Sequence, residues 1–291
     1  MGDKLGVIGL GKMGLGLAQQ MMADGHAVCG YDIDPVRMQM LAESGGMPLA
    51  NAREVAANSD ITFSILLKPE HIDENLFGPD GIDKAGKTGL IHVEMSTMPP
   101  AFSKELATRL AGSGIDMLDA PISGSTPQVD ARTITFMVGG SDDAFARVQP
   151  IIAPISADAT YTGPSGTGGV MKVVTNMYVN ASTALIAEML LTGERAGLSP
   201  DVMRHCLPKG SVRGAMLDMS LDPVFNRDFT ARGAVEIFVK DMGIAIDLAK
   251  DNGLDLQVVP AARAMFQRAE AAGWGKDDAI RVLEVYEGKA D

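Results

Sequence analysis

The chain has 291 residues, 46% of them hydrophobic, enough for one large domain or two ordinary ones around a sizeable core. Its formal charge of −12 argues against broad binding to nucleic acid or to an anionic membrane, so an acidic ligand has to be drawn by a local group of cations. Two cysteines far apart, Cys29 and Cys206, suggest a reducing compartment, and His26, His71, His92 and His205 show no metal-site spacing.

The chain enters a strand almost at once, without the basic and apolar regions of a signal peptide, and no apolar run approaches membrane-spanning length. A cytoplasmic location is expected. The first strand, Leu5-Gly6-Val7-Ile8, meets Gly9-Leu10-Gly11-Lys12-Met13-Gly14, and Gly14 opens a helix-period stretch ended by Asp24-Gly25-His26. Ala27-Val28-Cys29-Gly30-Tyr31-Asp32 then reads as a second strand, with an acid about 20 residues beyond the glycines, which completes the βαβ context that a dinucleotide fingerprint demands. Backbone N–H groups and a helix dipole at the glycine turn suit a pyrophosphate, and the Asp32 carboxylate suits the adenosine ribose hydroxyls. Asp34 follows, and the first nearby cation is Arg37, so a 2′-phosphate meets negative charge first and NAD is expected over NADP.

Strands are predicted near Val7 and Val28, over 61–66, 90–95, 115–119 and 133–138, and at 160–162, with helices between most of them. Ser141-Asp142-Asp143 is predicted to cap a helix beginning near Ala144. This alternation over residues 1–163 is that of an α/β, doubly wound sheet. After Gly163-Pro164-Ser165-Gly166-Thr167-Gly168-Gly169, some thirty residues without proline carry apolar positions at helical spacing and predict one long helix. Further helices are predicted around 200–206, 233–252, 260–272 and 277–287, which makes 164–291 an all-helical domain. There is no internal repeat or low-complexity tract.

Lys172 and Asn176 stand four residues apart near the start of the long helix and share a face. A lysine desolvated there suits general acid/base work, because burial lowers an amine pKa; spacing alone favours a solvated surface lysine, since most lysines are exposed. The glycine fingerprint, Asp119-Ala120-Pro121-Ile122-Ser123-Gly124, the run from Phe136 to Gly140 and the segment from Gly166 to Asn176 occur in the order found in β-hydroxyacid dehydrogenases. The chain resembles that family over nearly its whole length. Its members include 3-hydroxyisobutyrate dehydrogenase and tartronate semialdehyde reductase.

The resemblance implies an N-terminal Rossmann domain joined by a long helix to a C-terminal all-α substrate and oligomerisation domain. It implies an NAD-dependent oxidoreductase that interconverts a small 3-hydroxy acid and its semialdehyde or keto form, with Lys172 as general acid/base. Asn176 is implied to help hold the substrate, and Ser123 and Gly124 to grip its carboxylate. Gly9, Leu10, Gly11, Lys12, Met13, Gly14, Asp32, Leu66, Leu67, Thr97 and Lys240 are implied to contact the cofactor. Arg213 is a candidate for a second anionic group on the substrate, with an exposed arginine beside a turn as the alternative. The chain departs from the family at Ser125 and Arg132, where glycines are usual, and at Leu67, where proline is common; lost glycines suggest altered backbone angles near the substrate loop. No metal is implied, and a homodimer or homotetramer is expected because a long apolar helix needs a neighbour to cover it. Two other readings are an imine reductase, against which Lys172 speaks, and a dinucleotide sensor without turnover. Decarboxylating phosphogluconate dehydrogenases share the early motifs but carry a much larger helical domain.

Overall fold

The computed structural model describes residues 2–290, and the chain divides into two compact units, Met1–Lys172 and Val173–Asp291. In the first unit the strands are β1 (Leu5–Ile8), β2 (Val28–Tyr31), β3 (Met47–Pro48), β4 (Ile61–Ser64), β5 (Ile91–Glu94), β6 (Asp116–Asp119), β7 (Ile122–Ser123), β8 (Thr135–Gly139) and β9 (Asp158–Gly163). Their helices are α1 (Lys12–Ala23), α2 (Pro35–Glu43), α3 (Ala52–Ala57), α4 (Pro69–Phe77), α5 (Pro100–Ala111), α6 (Thr126–Asp130) and α7 (Asp142–Ile152). The sheet order is β3-β2-β1-β4-β5-β6-β8-β7, with β9 beside β8. The strands from β3 to β6 run parallel, and β8 lies antiparallel to β6 and β7. This is the doubly wound order whose carboxyl strand ends face ligands.

Apolar residues cover both faces of the sheet. Val7, Phe63, Val93 and Leu118 belong to one buried cluster, with Leu17 and Met21 of α1. Ile8 belongs to a second, with Val55, Ile72, Leu76 and Leu106 from α3, α4 and α5. Helix starts follow local chemistry: the Asp34 side chain accepts the Val36 N–H before α2, and Ser141 accepts that of Ala144 before α7.

Helix α8 (Thr167–Arg195) begins in the first unit and continues into the second. The second unit adds α9 (Pro200–Cys206), α10 (Ala215–Asn226), α11 (Val235–Asp251), α12 (Val258–Ala269) and α13 (Val282–Tyr286). They enclose a core of Leu190, Val224, Val235, Met242, Phe266 and Leu283. Ser199 caps α9 through the Val202 N–H.

Three elements escape the pattern reading. β3 and β7 have two residues each, too few for any periodicity, and α10 carries Pro223 in its interior and has no side-chain cap. The two lost glycines have separate explanations. Ser125 is extended, φ −126°, a conformation open to any residue, and both its N–H and its hydroxyl donate to Gln128 Oε1, at 2.9 and 3.2 Å. Arg132 keeps the left-handed conformation at φ 57°. Its guanidinium reaches Gln20 Oε1 at 2.7 Å, both Asp24 carboxylate oxygens at 2.9 and 3.0 Å, and the Pro154 carbonyl at 3.2 Å. A planar fork with four acceptors offsets a backbone cost of about 1 kcal/mol.

Candidate active site

The loop after β1 uses its glycines for three physical reasons. Gly9 has φ 86°, and a Cβ there would lie 2.5 Å from the Ile65 carbonyl oxygen and 2.9 Å from a methyl of Leu66. A Cβ on Gly14 would lie 2.0 Å from the Gly9 carbonyl oxygen, so this glycine lets α1 start against the loop. Around Gly11 nothing stands within 4 Å of where a Cβ would project. The backbone is open there to the approach of a ligand. No side chain caps α1, no acid stands in its first turn, and Lys12 is exposed at its start, so the helix end suits an anion.

Asp32 is held beside this loop. One of its carboxylate oxygens accepts the Leu10 N–H at 2.6 Å and the other accepts the Asp34 N–H at 2.8 Å. Each oxygen retains a lone pair for a sugar hydroxyl. Met13 is half-buried, with its sulfur 3.9 Å from the Thr126 hydroxyl, which ties the loop to the segment following Ser123 and Gly124. Ser123 is half-buried at the end of β7, and Gly124 is exposed at φ 141°.

At the carboxyl ends of β4 and β5, Leu66 is half-buried and its N–H donates to the Ser96 hydroxyl at 2.7 Å. Leu67 is 73% exposed, and Thr97 is half-buried. The fold therefore gathers Gly9, Leu10, Asp32 and Leu66 at one end of the sheet, with Leu67 and Thr97 on the adjoining chain.

The start of α8 is gripped by a side chain from another strand. Asp119, buried at the end of β6, accepts the Gly166 N–H at 2.6 Å and the Gly169 N–H at 2.9 Å, one on each carboxylate oxygen. A Cβ on Gly168 would lie 2.3 Å from the Asp119 carbonyl oxygen and 2.4 Å from that of Met137, so only glycine permits so close a seat. Lys172, half-buried, follows within the next turn. Burial raises the Asp119 carboxyl pKa, outweighing the lowering by the amides of Gly166, Gly169 and Gly168.

In the second unit, Asn176 is buried and donates from Nδ2 to Asp241 Oδ2 at 2.7 Å, while Lys240 Nζ stands 3.2 Å from Asp241 Oδ1. Asp241 joins two residues singled out from the sequence and was itself missed there. Its signal was present: an acid on the buried stripe of α11, beside Val239 and Met242. Arg213 is exposed on the turn before α10. Asp119 was likewise read only as part of a motif, since its partners lie 47 and 50 residues away.

Two family models match the chain. One describes the NAD-binding domain of 6-phosphogluconate dehydrogenase and matches residues 4–163; the other describes the NAD-binding region of NADP-dependent 3-hydroxyisobutyrate dehydrogenase and matches residues 166–286. The chain is 32% identical to 2-(hydroxymethyl)glutarate dehydrogenase of Eubacterium barkeri, covering 98% of this chain and 95% of that protein. It is 31% identical to L-threonate dehydrogenase of Cupriavidus necator, covering 99% and 97%. A crystal structure described as 3-hydroxyisobutyrate dehydrogenase from Salmonella typhimurium superposes with a TM-score of 0.89 at 30% identity, covering 97% of this chain and 99% of that one.

A carboxyl with a raised pKa in the folded state binds more protons folded than unfolded between the two pKa values, so its contribution to stability falls as pH rises through that window. The unfolding free energy of the protein minus that of Asp119→Asn should accordingly decrease as pH rises from about 4. Urea unfolding at a series of pH values measures it, and a difference that is flat or climbs with pH contradicts the assignment.

Proposed function

Because the chain belongs to the β-hydroxyacid dehydrogenase family, we propose that it interconverts a small 3-hydroxy acid and its semialdehyde or keto form, with Lys172 as general acid/base. The observation that carries this reading is the seat of α8: Asp119 and Gly168 fix the helix start at the carboxyl end of β6, the end of the sheet where open α/β folds bind ligands, and Lys172 follows within a turn. The nicotinamide dinucleotide that the first unit accommodates supplies a hydride acceptor or donor when bound. Gly9, Leu10, Gly11, Lys12, Met13 and Gly14 hold its pyrophosphate, Asp32 its ribose, and Leu66, Leu67, Thr97 and Lys240 line the remainder. Lys172 takes the hydroxyl proton during oxidation and returns one to the carbonyl oxygen during reduction. Ser123 and the Gly124 amide orient the carboxylate, and Asn176, itself oriented by Asp241, holds the reacting end. The shift between the two family models near residue 164 supports 1–163 and 164–291 as the working domains.

NAD is the preferred cofactor on this reading. Asp32 and Asp34 flank Ile33, which is 85% exposed, and Arg37 lies 4.0 Å from Asp34, so a 2′-phosphate would meet two carboxylates and an apolar side chain. Two unpaired cysteines, one buried and one exposed, support a reducing compartment, the cytoplasm. The substrate is a small anionic hydroxy acid. A relative whose name denotes a dicarboxylic substrate supports Arg213 as the holder of a second carboxylate. Met171, Val174, Tyr178 and Leu185, all exposed on one face of α8, support a homodimer or homotetramer.

Screening NAD and NADP reduction against 3-hydroxyisobutyrate, glycerate, threonate and 2-(hydroxymethyl)glutarate should give turnover faster with NAD. In Lys172→Met, kcat should fall by about three orders of magnitude, as loss of a general acid/base does, while a fluorescence titration still detects NADH binding. Near-normal kcat removes the lysine from the mechanism, and absence of turnover by the wild-type protein on the whole panel favours a non-catalytic dinucleotide sensor. Arg213→Ala should raise KM about tenfold for a dicarboxylic hydroxy acid, the loss of one charged contact, and leave a monocarboxylic one unchanged; equal losses exclude the second anion site. Light scattering on a sizing column should give a mass of two or four chains, and Tyr178→Glu should lower it.

A further inference from the structure

Strands β4 and β5 alternate apolar and polar residues, Ile61-Thr62-Phe63-Ser64 and Ile91-His92-Val93-Glu94. That pattern ordinarily marks a sheet with one face in water. Here all four polar side chains are fully buried under α3, α4 and α5, and the parallel register sets Thr62 beside His92 and Ser64 beside Glu94. They form one chain of hydrogen bonds. Glu94 Oε2 accepts from the Ser64 hydroxyl at 2.5 Å, and Glu94 Oε1 accepts the Ser96 N–H at 2.8 Å. Ser64 Oγ lies 3.1 Å from His92 Nε2, and His92 Nδ1 lies 3.0 Å from Thr62 Oγ1. At the other end, the Ser96 hydroxyl accepts the Leu66 N–H.

Proton counting gives this chain a direction. A hydroxyl has one proton, and Ser64 commits its own to Glu94, so His92 donates from Nε2, which also stands 3.7 Å from Glu94 Oε2, and a neutral ring then accepts at Nδ1 from Thr62. The opposite order would turn the Thr62 hydroxyl to the Ile91 carbonyl, 3.5 Å away, the long limit of a hydrogen bond. The Ser64 hydroxyl donates to Glu94 Oε2 at 2.5 Å, the short end of the range for hydroxyl hydrogen bonds. Each donor and acceptor named is then satisfied with Glu94 as the terminal acceptor.

We infer that Glu94 is a positioning residue for the dinucleotide site: through this buried chain it sets the Nε2–H tautomer of His92 and, by way of Ser96, holds the Leu66 segment in place against the cofactor. The inference rests on the reading that Leu66, Leu67 and Thr97 line the cofactor. An apolar seam would serve packing alone at least as well, since buried ionised groups rarely add stability over well-packed hydrocarbon. The polar seam ends on a residue of the cofactor-lining loop, which packing does not require.

Long-range proton–nitrogen spectra of the four histidine rings, with His92→Gln to assign the signals, test the order directly. The wild-type protein should show His92 protonated at Nε2. In Glu94→Gln the carboxamide keeps its bond from the Ser96 amide but donates to Ser64, so the order reverses and His92 should become Nδ1–H. Titration with NADH then tests the positioning. Ser96→Ala should weaken binding about tenfold, the effect of one buried amide losing its acceptor, whereas Glu94→Gln should stay within about threefold of wild type because the Ser96 link survives. Glu94→Ala should match Ser96→Ala, and the double variant should be no worse than either. If Glu94→Ala does not fold, the Ser96→Ala titration and the spectra still decide. His92 found as Nδ1–H in the wild-type protein, or unchanged NADH affinity in Ser96→Ala, overturns the inference. A wild-type protein that binds no dinucleotide overturns the cofactor reading itself, while the spectra continue to judge the proton order.

Discussion

The grip of the Asp119 carboxylate on the first turn of α8 is the constraint on which the proposed chemistry depends. A helix begins with backbone N–H groups that have no partner within the helix, and here two of them, on Gly166 and Gly169, are satisfied by a buried carboxylate at the end of β6. The charge also faces the positive end of a 29-residue helix dipole, which favours the anion in a place where burial alone would disfavour it. Gly168 completes the seat by letting the helix backbone rest on the carbonyl oxygens of Asp119 and Met137. Lys172 inherits its position from that seat, since a helix transmits the placement of its first turn to its second with little slack. Positioning at this level matters because a displacement of about 1 Å at a reacting centre can cost a hundredfold in rate.

The dinucleotide end of the first unit is built on the same principle of satisfied backbone groups at strand ends. Asp32 uses its carboxylate to fix both the glycine loop, at the Leu10 amide, and the chain leading into α2, at the Asp34 amide. The Leu66 amide is fixed by Ser96, which is in turn held by Glu94. Loops at strand ends are ordinarily mobile, and these are tied by side-chain acceptors instead, half-buried at Asp32 and buried at Ser96 and Glu94. In the second unit, Asp241 performs a comparable service for Asn176 and stands beside Lys240. Three separate acids, Asp119 and Glu94 in the first unit and Asp241 in the second, thus hold other residues in place.

The two lost glycines of the family pattern are absorbed locally. Ser125 occupies an extended conformation and starts α6, so a hydroxyl there replaces hydrogen without strain. Arg132 retains the backbone conformation that glycine ordinarily supplies and compensates through Gln20, Asp24 and Pro154. Its four contacts bind the C-terminal end of α1 and the Pro154 carbonyl, beyond α7, to the turn before β8, so the substitution exchanges conformational ease for a cross-link between elements.

Periodicity and punctuation, which act over a few residues, were enough to read much of this protein. The strands around Val7, Val28, Phe63, Val93 and Leu118, the glycine turn, the cap at Ser141 and the unbroken helix after Gly166 are all local statements of backbone preference, and the structure contains them. Two-residue strands and a proline-bearing helix fall below that resolution. The alternation in β4 and β5 misleads for the same reason: it records which residues share a face, and only the helices packed on that face decide that Thr62, Ser64, His92 and Glu94 are buried. The sequence by itself determined the α/β order, the dinucleotide turn and the shared helical face of Lys172 and Asn176, because each is a matter of spacing along a few turns. Which carboxylates hold that machinery in place, Asp119 from 47 residues away, Glu94 across strands and Asp241 from 65 residues away, was decided by the tertiary structure alone, since a hydrogen bond between distant residues leaves no mark in the spacing of either.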